Sequence, residues 1–302
     1  MRLRLGVLLA VVALGGACGP KSIEARTRHA EKRADEAAEA LDRAQKAADA
    51  LEPDDFEDAL KDAKDALADP DINLYPEAGM HQDRYAELSG KLAAVRAARE
   101  KRDLEAKLDK ARSDIVPMVQ AMLDATESLT PANATEDKVQ VVEEKAKELK
   151  ERVKDEQALF AKSPDFKDWA ENQLRKADKA LEVAARAKKG LAFKAGPVAA
   201  HALAKAKRAE ARKSKPKEKL EALTEAKKQL AACEAGARAG AKDKDLQAVA
   251  FPVGGKAALT PEKLEKACED LDKQLEPELK KAREAFKKWE AAEKKKAAKK
   301  KK

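Results

Sequence analysis

Small and apolar residues fall at Ile23, Ala30, Ala34, Ala37, Leu41, Ala44, Ala48 and Leu51, a step of seven followed by alternating fours and threes. Thr27 is the one polar residue on that line. The spacing is that of a heptad seam and predicts a helix of about thirty residues. Alanine fills most of the seam, so a partner helix must approach to about 8 Å, the short end of the packing range, to touch it. The pattern stops at Glu52-Pro53, and Pro53 can open a second helix over roughly 54–68, because a first helical turn needs no amide donor. That helix sets Phe56, Leu60, Ala63 and Leu67 on one face. The stretch Asp69-Pro70-Asp71-Ile72-Asn73-Leu74-Tyr75-Pro76 reads as a loop.

A third helix is predicted from His81, with Tyr85, Leu88, Leu92 and Val95 at heptad steps. The phase slips before Leu104, Leu108, Ala111 and Ile115 take it up again, which places a boundary or kink near 100–104. Pro117 is expected to kink the segment that follows, and Ser128–Asn133 to end it. Further helices are read over 135–160, from Ser163-Pro164 to a stop at Gly190, over 197–213 and over 216–239. Residues 240–260 look like a loop, and no convincing strand is seen. Thr260-Pro261-Glu262 starts a last helix to about Lys296, bent at Pro277.

Phe56 and Val139 lie 83 residues apart, Tyr85 and Trp169 84. Tyr85-Ala86-Glu87 is matched by Trp169-Ala170-Glu171, and Phe166-Lys167-Asp168-Trp169 is echoed by Phe286-Lys287-Lys288-Trp289. These matches suggest a degenerate repeat of about 82–84 residues, in units 18–104, 105–190 and 191–287 before a Lys-rich tail, 288–302. The expected fold is all-α, an elongated Ala-rich bundle of coiled-coil-like helices. Charged residues at 40% and aromatics at 3% agree with it. They argue against an α/β enzyme, an all-β fold and a polytopic membrane protein.

The net charge of +8 and the pI of 9.1 belong to the ends. Residues 288–302 hold eight lysines against Glu290 and Glu293, Arg2 and Arg4 sit at the start, and the body between is balanced. A nucleic-acid-binding body should carry its own cationic face, so no nucleic-acid partner is expected.

Met1-Arg2-Leu3-Arg4 followed by an apolar run from Leu5 to Leu14 and by Gly15-Gly16-Ala17-Cys18 has the three regions of a secretory signal peptide. The apolar run is too short to span a bilayer. The cysteine behind Gly-Gly-Ala resembles the lipobox of bacterial lipoproteins, although Gly15 stands where that motif has an apolar residue and Leu14 lies one place earlier. The resemblance covers eighteen residues. It implies acylation of Cys18, palmitate included, and, with Gly19 next, sorting to the outer membrane facing the periplasm. Simple cleavage after Ala17, leaving a free thiol, is the other outcome.

Cys233 and Cys268 form an even pair flanking the loop at 240–260. Antiparallel helices around that loop bring them to similar height, so a disulfide is expected, with two buried thiols as the alternative. His29, His81 and His201 are isolated and read as solvated helix-face residues; no metal site and no cofactor follow. Asp69-x-Asp71-x-Asn73 opens like a calcium loop, but Leu74 and Met80 hold the positions that need Gly and Glu. Asn133-Ala134-Thr135 is a formal glycosylation sequon. The aromatics read as plugs at the ends of helical units. Lys294, Lys295, Lys296 and Lys299 to Lys302 are the candidate contact for an anionic partner, which could be a cell-wall polymer, an anionic lipid or an envelope protein. The functional expectation is a non-catalytic tether or adaptor, not an enzyme. A periplasmic holdase or client-binding module is the alternative.

Overall fold

The structure, a computed structural model, describes residues 20–254 and 257–300, with side chains from 22 to 254 and from 257 to 296. It is 85% helical, so the chain is an all-α helical bundle. The segment 1–17 expected to be a signal peptide, Cys18, Lys301 and Lys302 lie outside the described residues, as do the side chains of Lys299 and Lys300. The chain separates into two compact units, one up to Asp109 and one from Lys110.

The first unit contains α1 (Pro20–Ala50), α2 (Pro53–Leu67), a short 3-10 turn over Ile72–Leu74 and the opening part of α3 (Ala78–Glu127). Helix α2 runs back along α1, with Arg43 paired to Asp62 at 2.8 Å near the connection and Arg26 bonded to Asp71 at the far end. Ala30, Ala34, Ala37, Leu41, Ala44 and Ala48 of the alanine seam are all buried, whereas its first member, Ile23, is 56% exposed. The seam meets Phe56, Ala59, Leu60 and Ala63 from α2 and Leu88 and Val95 from α3. Each methyl adds about 0.8 kcal/mol and each buried Leu or Phe about 1.5–3. The few large side chains therefore anchor a contact that the alanines keep close.

Helix α1 ends without glycine. Leu51 adopts φ 57°, its amide bonds the Ala48 carbonyl, and the Glu52 amide bonds the Ala47 carbonyl. This is a Schellman closure with Leu in the left-handed position. Arg99 and Arg102 donate to the Leu51 and Ala50 carbonyls at 3.3 and 3.4 Å and so serve the exposed end of the helix.

The second unit takes the rest of α3, then α4 (Glu136–Asp155), the single turn α5 (Gln157–Phe160) and α6 (Pro164–Phe193). A π-type turn over Lys194–Val198 leads into α7 (Ala199–Ala211), and α8 (Pro216–Lys242) follows. A two-stranded hairpin of β1 (Phe251–Val253) and β2 (Ala257–Leu259) comes next, and then α9 (Pro261–Lys300). Thr135 caps α4 through its hydroxyl, which accepts from the Lys138 amide at 3.3 Å, and prolines open α6, α8 and α9. Helix α4 packs on α6, α7 on α8, and α8 along α9. Phe193, Leu223, Leu230, Phe251, Leu264 and Leu275 are the large members of the core under α7, α8 and α9.

Several expectations need correction. Helix α3 has no boundary at 100–104 and continues past Pro117, as α9 continues past Pro277, so any kink or bend at these prolines lies inside a helix and does not end it. The slip of phase near 100–104 marks where α3 leaves the first unit, not where it ends. Both prolines are exposed, so water can serve the carbonyls that lose an amide partner. Gly190 does not stop α6. It lies against the loop after α3, and a Cβ there would meet the Pro131 carbonyl oxygen at 2.2 Å. Gly240 does the same for the Phe193 ring, at 2.3 Å, which lets Phe193 tilt onto Phe251 with centroids 4.6 Å apart. The segment read as all loop holds the end of α8 and the hairpin, where Phe251 and Val253 point inward and Pro252 outward. A proline is tolerated at such an edge position. The second and third expected units, 105–190 and 191–287, fall almost wholly within one compact unit.

Candidate functional site

Cys233 on α8 and Cys268 on α9 are fully buried and joined by a disulfide, with Cα atoms 6.3 Å apart across 35 residues of chain. Beside it, burial first, and then Asp272 and Glu269, push the Glu234 carboxyl above its usual range. Arg238 lowers it in part and pairs with Glu265 at 2.7 Å. The bond fixes α8 to α9.

The end of α9 is different. Ala282 is its last buried side chain, and the helix then continues to Lys300 with every described side chain from 283 to 296 exposed or half-buried. Lys294, Lys295 and Lys296 lie on this extension. Lys294 pairs with Glu290 at 3.0 Å and Lys296 with Glu293 at 3.1 Å, so part of the cationic charge is neutralised locally. Phe286 stacks on Trp289 with centroids 5.7 Å apart, and Trp289 is 37% exposed. This pair is therefore not a core plug. Phe56, Phe160 and Phe251, by contrast, are fully buried.

The loop after α2 is tied down by cations of its own chain. Asp71 is bonded by Arg26, which holds its carboxyl below the usual range. The Asp71 amide does the same for Asp69, against desolvation and with help from His29, whose Nε2 lies 2.9 Å from the carboxylate. His81 stacks on Tyr75 with centroids 6.4 Å apart.

His201 departs from the solvated-histidine expectation. It is 2% exposed, and its Nδ1 is buried without a hydrogen-bond partner. Burial first, and then the Lys205 charge, hold the imidazole below its usual pKa. It lines a groove of about 390 Å³ between α7 and α9. Lys205, Arg208 and Arg212 follow His201 at steps of four, three and four, which sets all four on one stripe of α7. Ala200, Ala204 and Ala211 bury the neighbouring face against the core and fix that orientation. Across the groove, α9 presents Ala267, Asp270, Leu271 and Gln274.

Arg208 is fully engaged. Its Nη2 donates to Glu278 at 2.7 Å and its Nη1 to Gln274 at 2.8 Å. The Glu278 carboxyl is held below its usual range by this bond. Lys205 and Arg212, on either side of it, make no ion pair among the described residues. The sequence signal that would have found this stripe is the spacing of His201, Lys205, Arg208 and Arg212 at four, three and four along an alanine-rich helix.

No protein-family model, curated protein or solved structure matches the chain. Among the described residues, no helix is long and apolar enough to cross a membrane, and no group of three metal-ligating side chains converges.

Proposed function

We propose that the protein is a lipid-anchored envelope component, acylated at Cys18, that works without catalysis as a tether or adaptor between the outer membrane and an anionic partner. The observation that carries this reading is the extension of α9: a helix that outlives its core by at least fourteen described residues, all solvent-facing or half-buried. A helix turn that buries nothing contributes little to the fold and is kept for what it can reach. At 1.5 Å per residue, the 40 residues of α9 span about 60 Å. Lysines clustered beside an anionic surface each contribute about 1 kcal/mol, and salt weakens them within a Debye length. The Lys294–Glu290 and Lys296–Glu293 pairs hold the helical form of this segment and leave Lys287, Lys288 and Lys295 to face a partner.

Co-sedimentation with purified cell wall tests the reading. The chain from Gly19 onward should pellet at low salt, release at high salt, and stay in the supernatant once residues 288–302 are removed. Equal partition of the intact and truncated chains would refute the tether. Suppressed aggregation of an unfolded client, unaffected by that truncation, would point to a holdase instead. Metabolic labelling with a palmitate analogue tests the anchor, and the label should vanish in Cys18→Ala.

A further inference from the structure

We infer that the groove between α7 and α9 is a binding site for a phosphate group, held between Lys205 and Arg212 with the His201 imidazole at its buried edge. Two observations converge on it. Two cations, one turn to either side of Arg208, make no ion pair among the described residues, Arg212 feeling Glu278 only at a distance. A histidine that is almost wholly buried lines the groove, and its Nδ1 has no hydrogen-bond partner among the described residues. A buried polar nitrogen left unpaired is costly, and a groove ligand that the ring turns to meet removes that cost.

The chemistry of the walls selects the ligand class. Lys205 and Arg212 are separated by about 10 Å of axial rise, within the combined reach of two long side chains. A tetrahedral oxyanion offers enough acceptor oxygens to meet an ammonium, a guanidinium and an imidazole N–H together. Arg208 is not available for this, because Glu278 and Gln274 already hold its guanidinium. It contributes field, and it fixes the width of the groove by bridging α7 to α9. Asp270, opposite, is exposed and 3.7 Å from Lys273. It disfavours a bare polyanion and suits a phosphate ester whose other end carries a hydroxyl or ammonium donor. The site is independent of the cationic end of α9, so the two stand or fall separately.

The test is a titration of the isotope-labelled protein with inorganic phosphate, at ionic strength held constant with sodium chloride, followed on the imidazole signals of the three histidines. The expected result is a saturable shift at His201 that leaves His29 and His81 in place, with the His201 pKa rising as phosphate binds. In Lys205→Ala/Arg212→Ala, both of whose targets are exposed, the fold should persist and the affinity drop about tenfold. Vesicles containing phosphatidylglycerol form the second arm. A His201 response to vesicles assigns the phosphate to a lipid headgroup, and a response to inorganic phosphate alone assigns it to a soluble ester. The site is overturned by shifts that grow linearly with added salt of any kind, or by saturable binding that the double variant keeps at full affinity.

Discussion

At the scale of single residues, the close approaches carry the strongest consequences. Gly190 admits the Pro131 carbonyl where a methyl would overlap it at 2.2 Å, and the neighbour is backbone, which cannot swing aside. Gly190→Ala should therefore cost about 1–3 kcal/mol of stability in chemical denaturation. Gly90, also helical, has nothing within 4 Å of its would-be Cβ. Gly90→Ala should instead add about 0.5–1 kcal/mol, because it removes a glycine from a helix interior. His201 supplies a pH prediction. Burial keeps its folded pKa below 6.5, with Lys205 adding repulsion, and Asp270 is the acid across the groove. Between the folded pKa and 6.5 the unfolded chain binds the extra proton, so stability falls as pH drops through that window. Urea midpoints at pH 7.5 and 5.5 should show that loss, and His201→Gln should show less of it.

At the scale of elements, the places where sequence patterns mislead share a cause. The alanine seam of α1 was legible because its residues from Ala30 to Ala48 are all buried, Leu41, Ala44 and Ala48 against α2 and α3 and Ala34 against Ile72 and Ala78. The starts at Pro53, Pro164, Pro216 and Pro261 were legible because a proline at a first turn is a local matter. Helix α3 misled because its apolar stripe shifts phase where it passes from one unit to the other, and periodicity alone cannot tell a shifted stripe from a broken helix. The hairpin was missed because two three-residue strands leave almost no alternation to read. The groove was missed because a tertiary contact, α7 against its neighbours, decides which histidine is buried. Pro117 and Pro277 sit exposed inside helices whose packing overrides their local cost. Pro117→Ala and Pro277→Ala should each raise stability by about 1–3 kcal/mol, since each restores a helical hydrogen bond and removes no buried contact. Thermal melts of the two variants check this, and an unchanged or lower midpoint would mean that the kink itself is used in packing.

At the scale of the whole molecule, two compact units with separate cores should unfold separately, and the disulfide found among the described residues lies in the second. Calorimetry of the oxidised protein should resolve two transitions. Reduction of Cys233–Cys268, or the double change to Ser, should move one of them and leave the other in place. For a bridge across 35 residues the loss is about 3–4 kcal/mol. A single transition that shifts as a whole would mean that the units melt as one. The alanine seam has a further consequence, for temperature. Methyl groups form much of the contact in the first unit, so each residue there hides little hydrocarbon from water while its helical backbone hides polar amides. Hydrocarbon exposure raises the heat capacity of unfolding and amide exposure lowers it. The increment for this unit should fall below the usual ~12–15 cal/mol/K per residue, which makes its stability curve broad and shallow: modest at its peak, and slow to fade on either side, in the cold as in the heat.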